Sequence, residues 1–434
     1  MIEEILAKIG QKSLLLDWES WSQEQKENFR KQVEELDVKA IEQQRRLIAS
    51  HKKSVLEPIT PFTDYVIPPK GEEGRKLVEK GAVACLVVAG GQGIRLGFDG
   101  PKGAFPVTAV KHKSLFQLVA EKTLAAGKGL SLAIMTSPLN HQATFKFFEE
   151  NNSFGLAEEQ LDLFCQGTFP FLDDEGNLFL EAPGKIATGP NGNGSSLRHL
   201  VNFGIWDKWK KRGVSYVIFI QIDNALADPF DAALVEAHVL QDNEVTVKCI
   251  QRDDPHEDVG ILAKKGDDVV VVEYSEIGDE ERVACDESGA LVHSCANISY
   301  FCFDMAFIER VAKGNFLPYH FAYKETPAFD KTIKAFKSER FIFDVLPKAK
   351  KVGAILDARK HCFAPLKNAS GPNSIEDVQE SLQLFDRKVF KELTQTDALP
   401  GVIELHPSFY YPDQDLRLSW QKRIWSPGVL YLLP

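Results

Sequence analysis

A basic excess is missing from this 434-residue chain, in which 51 lysines and arginines stand against 62 aspartates and glutamates, a formal net charge of −11. That balance argues against a general nucleic-acid or membrane-surface binder, which presents a cationic face to its polyanionic partner. No apolar stretch approaches membrane-spanning length, and the amino terminus lacks the apolar core of a signal peptide. The protein is therefore expected to stay in the cytoplasm. Its seven cysteines are odd in number and contain no C-x-x-C pair, which points to reduced thiols. Cys85 and Cys249 lie in apolar runs and read as small buried side chains. No hexapeptide repeat is present, so a left-handed β-helix domain is not expected. What remains has an ordinary globular composition and is long enough for two or three domains.

The most informative stretch is CLVVAGGQGIRLGFDGPKGAFPV, from Cys85 to Val107. Leu86, Val87 and Val88 read as the end of a buried strand. Gly90, Gly91 and Gly93 follow almost at once, with Gly97 four residues later. Glycine permits positive φ and lets backbone N–H groups approach a ligand, and successive amides in such a turn form a nest of donors for an anion. Arg95 and Lys102 add two cations, with Pro101 just before the lysine. A phosphate-binding loop is the reading, against the blander one of a tight turn with two solvated cations. The Walker string is absent, and the dinucleotide fingerprint fails because its third glycine falls one place late, at Gly97. The second predicted strand, LAIMTS, ends without a ribose-gripping acid.

Charged segments with helical spacing fill residues 1 to about 55, followed by the proline-rich linker EPITPFTDYVIPP. From Val83 strands alternate with helices: AVACLVV, LAIMTS and SYVIFIQID each lead into a helical string. That alternation predicts an α/β fold with a doubly wound, mainly parallel sheet. After EVTVKCIQR short strands and turns predict a mixed or antiparallel extension. The expected organisation is a helical amino-terminal segment and linker over 1–75, a catalytic domain over 76–351 and a small carboxy-terminal domain over 352–434.

Five further strings accompany the glycine loop: FCQG (Phe164–Gly167), GPNGNG (Gly189–Gly194), IDNALADP (Ile222–Pro229), VEYSE (Val272–Glu276) and FAPLKNA (Phe363–Ala369). Together they resemble the eukaryotic-type UDP-N-acetylhexosamine pyrophosphorylases and their UDP-sugar pyrophosphorylase relatives, in order and spacing from about Leu86 to Ala369. The resemblance implies the Rossmann-like fold of nucleotide-diphospho-sugar transferases. It also implies a reaction in which UTP and a sugar 1-phosphate give a UDP-sugar and pyrophosphate, with Mg²⁺ as cofactor. The substrate phosphate is already ionised, so no protein nucleophile is needed; two anions must be brought together and their charge stabilised.

The resemblance assigns roles position by position. Ala89, Gly90, Gly91 and Gly93 would hold the nucleotide, and Arg95, Lys102 and Lys367 would act on the phosphates. Asp223 would touch nucleotide and hold Mg²⁺; its alternative is a turn former, with Asn224 and Asp228 as caps of the next helix. Gln166 and Gly192 would read uracil, the amide by both donating and accepting. Asn193, Glu273 and Asn297 would face the sugar, the last two also readable as solvated residues of strands. The sequence departs from the family at Asn191, where the family has Asp, and in SCANIS, where Ser294 and Ala296 replace its Asn and Gly. Its I-D-N element also reaches A-D-P three residues sooner. Sugar identity is thus open: N-acetylglucosamine 1-phosphate leads, with glucose 1-phosphate or broad specificity as the alternative. A catalytically silent nucleotide-sugar sensor is the reading from another class.

Overall fold

Strands rich in Val, Ile and Phe form the centre of the molecule and are buried along nearly their whole length, as a sheet covered on both faces requires. The structure, a computed structural model, describes residues 2–50, 58–314, 317–329, 331–398, 400–421, 423 and 430–434. The end of the amino-terminal helical stretch (His51–Val55), the first residue of the linker and part of the aromatic tail lie outside the described residues. In chain order the strands of the main sheet are β1 (Thr60–Pro61), β2 (Tyr65–Val66), β3 (Val83–Val88), β4 (Ser131–Thr136), β5 (Leu161–Cys165) and β6 (Tyr216–Gln221). They continue with β7 (Val245–Gln251), β8 (Gly260–Lys265), β9 (Asp268–Val272), β10 (Cys295–Asp304) and β11 (Val352–Asp357). The strand order is β2-β11-β7-β10-β6-β3-β4-β5, with β8 pairing β10, β1 and β9.

The pairs β2/β11, β11/β7, β6/β3, β3/β4 and β4/β5 are parallel, while β10 runs antiparallel to β7 and β6. The fold is therefore α/β with a mixed, mainly parallel sheet, and β8 to β10 supply its antiparallel part. Helices Leu115–Ala126, His141–Glu150 and Ala232–Leu240 stand in the β3–β4, β4–β5 and β6–β7 connections. The proline-rich passage is more than a linker, since it contributes the edge strands β1 and β2. The Ala232–Leu240 helix is capped by Asp231, whose carboxylate accepts from Leu234 N. Asn224 and Asp228 are not its caps, because their side chains accept from Ala364 N and Phe230 N instead. Among the described residues no helix is long and apolar enough to cross a membrane.

The chain divides into two compact units that do not follow chain order. The larger comprises Pro58–Cys165, Ser196–Asn315 and Val345–Pro434 and contains the main sheet. The segment from Val352 thus begins inside that sheet, and a small cluster of its own (Phe390, Ile403, Phe409 and Trp420 among others) forms only later in the chain. The smaller unit gathers Met1–Glu57, Gln166–Ser195 and Phe316–Asp344. Its helices Gln23–Glu34 and Val38–Ser50 bring Phe29, Val33 and Ile41 against Leu172, Leu178 and Ile186. A capping box of Ser22 and Gln25 starts the first of these helices by satisfying two otherwise orphan donors.

Candidate active site

In the larger unit, β3 delivers the glycine loop to the carboxyl edge of the sheet. The carbonyls of this loop are held from one side: Asn140 Nδ2 donates to Ala89 (2.8 Å) and Gly91 (3.1 Å), and Ser137 Oγ donates to Gly90 (2.7 Å). Among the described residues the N–H groups of Gly90 and Gly91 meet no acceptor, so the loop keeps donors for a ligand. Gly93 N bonds Gly100 O and Lys102 N bonds Gly91 O, which folds Lys102 back beside the glycines. Positive φ occurs at Gly97 and Gly100, not at Gly90, Gly91 or Gly93 as the sequence suggests. At Gly93 the reason for glycine is space, because a Cβ there would lie 2.8 Å from the Phe98 ring. The roles of Ser137 and Asn140 escaped the sequence reading; their only signal is two short polar residues between β4 and the helix His141–Glu150.

Asp223 emerges next to this loop because β6 runs parallel to β3, with Gln221 opposite Val88. Lys102 Nζ lies 3.7 Å from its carboxylate and donates to Leu366 O at 3.3 Å. Leu366 N in turn donates to Asp223 O (2.8 Å). Asn224 completes the seam, donating to Cys362 O (2.7 Å) and accepting from Ala364 N (2.9 Å), 140 residues away in sequence. The IDN and APLK strings are therefore one structure, and Lys367, half-buried, follows directly on the Leu366 that Lys102 grips. Arg95 is exposed on the turn Ile94–Leu96, with no acidic partner among the described residues.

No group of three or more His, Cys, Asp or Glu side chains capable of holding a metal occurs among the described residues. The donor set at Asp223 is one carboxylate whose cationic neighbour stands beyond hydrogen-bond distance. That fits a hard cation such as Mg²⁺, which takes its remaining ligands from phosphate and water, and does not fit a thiolate or imidazole metal.

Asn297 and Glu273 approach each other around Gly260. Gly260 opens β8 opposite Asn297 of β10, and a Cβ on it would lie 3.1 Å from Glu273 Oε1. Glu273 stands one residue past the end of β9 rather than within a strand. Asn297 sits at an irregularity between β7 and β10, where Ser299 adopts φ 53° and its N–H donates to Asn297 Oδ1. Bulges of this kind re-aim a side chain, and no local sequence signal marks this one. Gly260 is a further residue of this cluster that the sequence reading missed.

The smaller unit holds the remaining candidates. Strands Thr168–Pro170 and Thr188–Pro190 pair antiparallel, and Asn191 N extends that ladder to Gly167 O (3.1 Å). Buried Gln166 is thereby brought to the GPNGNG loop. Gly192 has φ 83°, and a Cβ on it would fall 2.3 Å from Arg340 O, so only glycine fits. Arg340 N donates to Asn191 O and Gly194 N to Arg340 O, which clamps the loop. Asn193 Oδ1 accepts from Ile342 N, a bond that serves the fold. The Asn191 amide nitrogen, turned toward the Gly167 and Gly192 carbonyls, donates at 3.0 and 3.3 Å; an aspartate could not. Arg340, also unforeseen, is buried with its guanidinium over the Tyr319 ring (4.3 Å) and the Phe169 ring (5.4 Å).

A family model described as UTP–glucose-1-phosphate uridylyltransferase matches residues 22–409. A Saccharomyces cerevisiae protein named UDP-N-acetylglucosamine pyrophosphorylase is 32% identical over 422 residues, covering 88% of each chain. The solved uridine diphosphate N-acetylglucosamine pyrophosphorylase of Trypanosoma brucei superposes with a TM-score of 0.85 at 25% identity, covering 96% of this chain and 93% of that one. A UDP-glucose pyrophosphorylase of Leishmania major, at 15% identity and a TM-score of 0.64, covers 82% of this chain and 78% of that chain and shares the fold.

Proposed function

The chain belongs to the UTP–glucose-1-phosphate uridylyltransferase family, and from that premise we propose that it joins UTP to N-acetylglucosamine 1-phosphate and releases pyrophosphate. The observation that carries the reading is the meeting of Lys102, Asp223 and the Leu366–Lys367 segment beside a glycine loop with free N–H donors. An oxygen of the sugar phosphate attacks the α-phosphorus of UTP, and the bond to the β-phosphate oxygen breaks. Gly90 and Gly91 amides bind phosphate oxygens, while Arg95, Lys102 and Lys367 balance charge on the α-phosphoryl group and on the departing pyrophosphate. Asp223 would hold Mg²⁺, which when bound supplies positive charge against the phosphates. Gln166 and Gly192 read the uracil edge, and Glu273 and Asn297 face the sugar. No disulfide joins the cysteines among the described residues, which suits the proposed cytoplasmic location.

Ser294 and Ala296, beside Asn297, favour a second reading in which glucose 1-phosphate is accepted as well. Pyrophosphate release should be measured with UTP, Mg²⁺ and each of the N-acetylglucosamine, N-acetylgalactosamine and glucose 1-phosphates. The fastest turnover is expected with N-acetylglucosamine 1-phosphate. A clear preference for glucose 1-phosphate would replace the first reading by the second, and no release with any sugar would leave a silent sensor.

A further inference from the structure

Beneath the Asp223 turn lies a buried cation with no part in the mechanism above. Lys122, on the Leu115–Ala126 helix, is 5% exposed and has no carboxylate at ion-pair distance among the described residues. Its ammonium donates instead to the carbonyls of Ala225 (3.1 Å) and Ala227 (2.8 Å), in the turn that begins at Asp223. An apolar side chain of similar volume would fill this space without the desolvation penalty of a charge, so what the lysine contributes is the grip on two carbonyls.

The aromatic tail reaches the same layer. Tyr411 OH donates to Asp228, at the end of this turn, and the Tyr410 ring stands 5.8 Å from the Lys122 ammonium. Tyr300 OH accepts from Asp228 N and holds it from the sheet side. The backbone after Asp223 is thus held by Leu366 N at its first carbonyl, by Lys122 at two further carbonyls and by two tyrosines at Asp228.

We propose that Lys122 is a positioning residue for nucleotidyl transfer: its grip on the Ala225 and Ala227 carbonyls fixes the Asp223 carboxylate beside the glycine loop, with Tyr411 of the carboxy-terminal tail backing the same turn. This rests on the assignment of Asp223 to the phosphate and metal end of the site.

The test compares the full-length protein with Lys122→Met, Lys122→Arg and Tyr411→Phe. UTP binding is measured by calorimetry in Mg²⁺ and in EDTA, alongside kcat, KM and thermal unfolding. Thr394→Val, which removes a buried hydroxyl from the Ile375–Thr394 helix, serves as a control for lost stability alone. Misplacement of a catalytic group by about 1 Å can lower rates ~10²-fold, so Lys122→Met is expected to lower kcat by ~10–10²-fold. It should also remove most of the Mg²⁺-dependent gain in UTP affinity while leaving binding in EDTA unchanged. Lys122→Arg should restore most of both, and Tyr411→Phe should move both in the same direction as Lys122→Met.

Lys122→Met that behaves like Thr394→Val, with a lower Tm but unchanged kcat and Mg²⁺-dependent binding, overturns the proposal. If Lys122→Met does not fold, an unchanged Tyr411→Phe overturns it. A wild-type protein that releases no pyrophosphate from UTP and any sugar phosphate instead removes the functional reading itself, and this inference with it.

Discussion

Lys102 reaches Asp223 and the Leu366 carbonyl from a loop that closes through backbone bonds of Gly91 and Gly93, so its side chain can be removed without opening the loop. Lys102→Ala is expected to lower turnover by ~10²–10³, the usual loss for one well-placed donor, with little change in thermal unfolding. Steady-state rates and a melting curve check both halves. Away from the site, Asp386 is buried, accepts from Tyr410 OH (2.6 Å) and Leu405 N (3.1 Å), and burial pushes it up to about 7. The folded state therefore binds its proton more tightly than the unfolded state does. The resulting stabilisation is complete below the ordinary carboxylate range and is lost as pH rises through about 7. Asp386→Asn should accordingly gain stability relative to wild type between pH 5 and pH 8, by roughly 2 kcal/mol. Denaturant unfolding at the two pH values measures it, and an equal difference at both would place no proton on Asp386.

The ladder between Thr168–Pro170 and Thr188–Pro190 does what neither strand could do alone, bringing Gln166 to the Gly192 turn. Uracil and cytosine reverse their donor and acceptor pattern at positions 3 and 4, so a site built for one leaves buried groups unpaired against the other. Such mismatches can reach ~10⁴-fold. Gln166→Ala is expected to narrow the preference for UTP over CTP, read as the ratio of kcat/KM for the two nucleotides. An unchanged ratio would take Gln166 out of base recognition. The glycine loop carries a different lesson. Its spacing was plain in the sequence, but Gly93 acts through close packing against Phe98 while positive φ falls at Gly97 and Gly100, and the loop's carbonyls are held by Ser137 and Asn140 from the next crossover.

At the scale of the whole molecule, the amino-terminal helices belong to the core of the smaller unit. A chain beginning at Pro58 would lack Phe29, Val33 and Ile41 and leave Leu172, Leu178 and Ile186 uncovered. Its residues 166–195 and 316–344 are expected to exchange amide hydrogens faster than in the full-length protein, and protection equal to wild type would show that these segments fold without the helices. Strand–helix alternation, the glycine loop at the end of a buried strand and the cations that follow it were legible in the sequence, because each is written in the periodicity and turn chemistry of a short window. Tertiary structure alone decided that Asn224 would seam Asp223 to a segment 140 residues away, that an irregularity in the sheet would fall at Asn297, opposite Gly260, and that Lys122 would lie under the Asp223 turn. Each depends on strand register and on hydrogen bonds between distant segments, and a local pattern specifies neither.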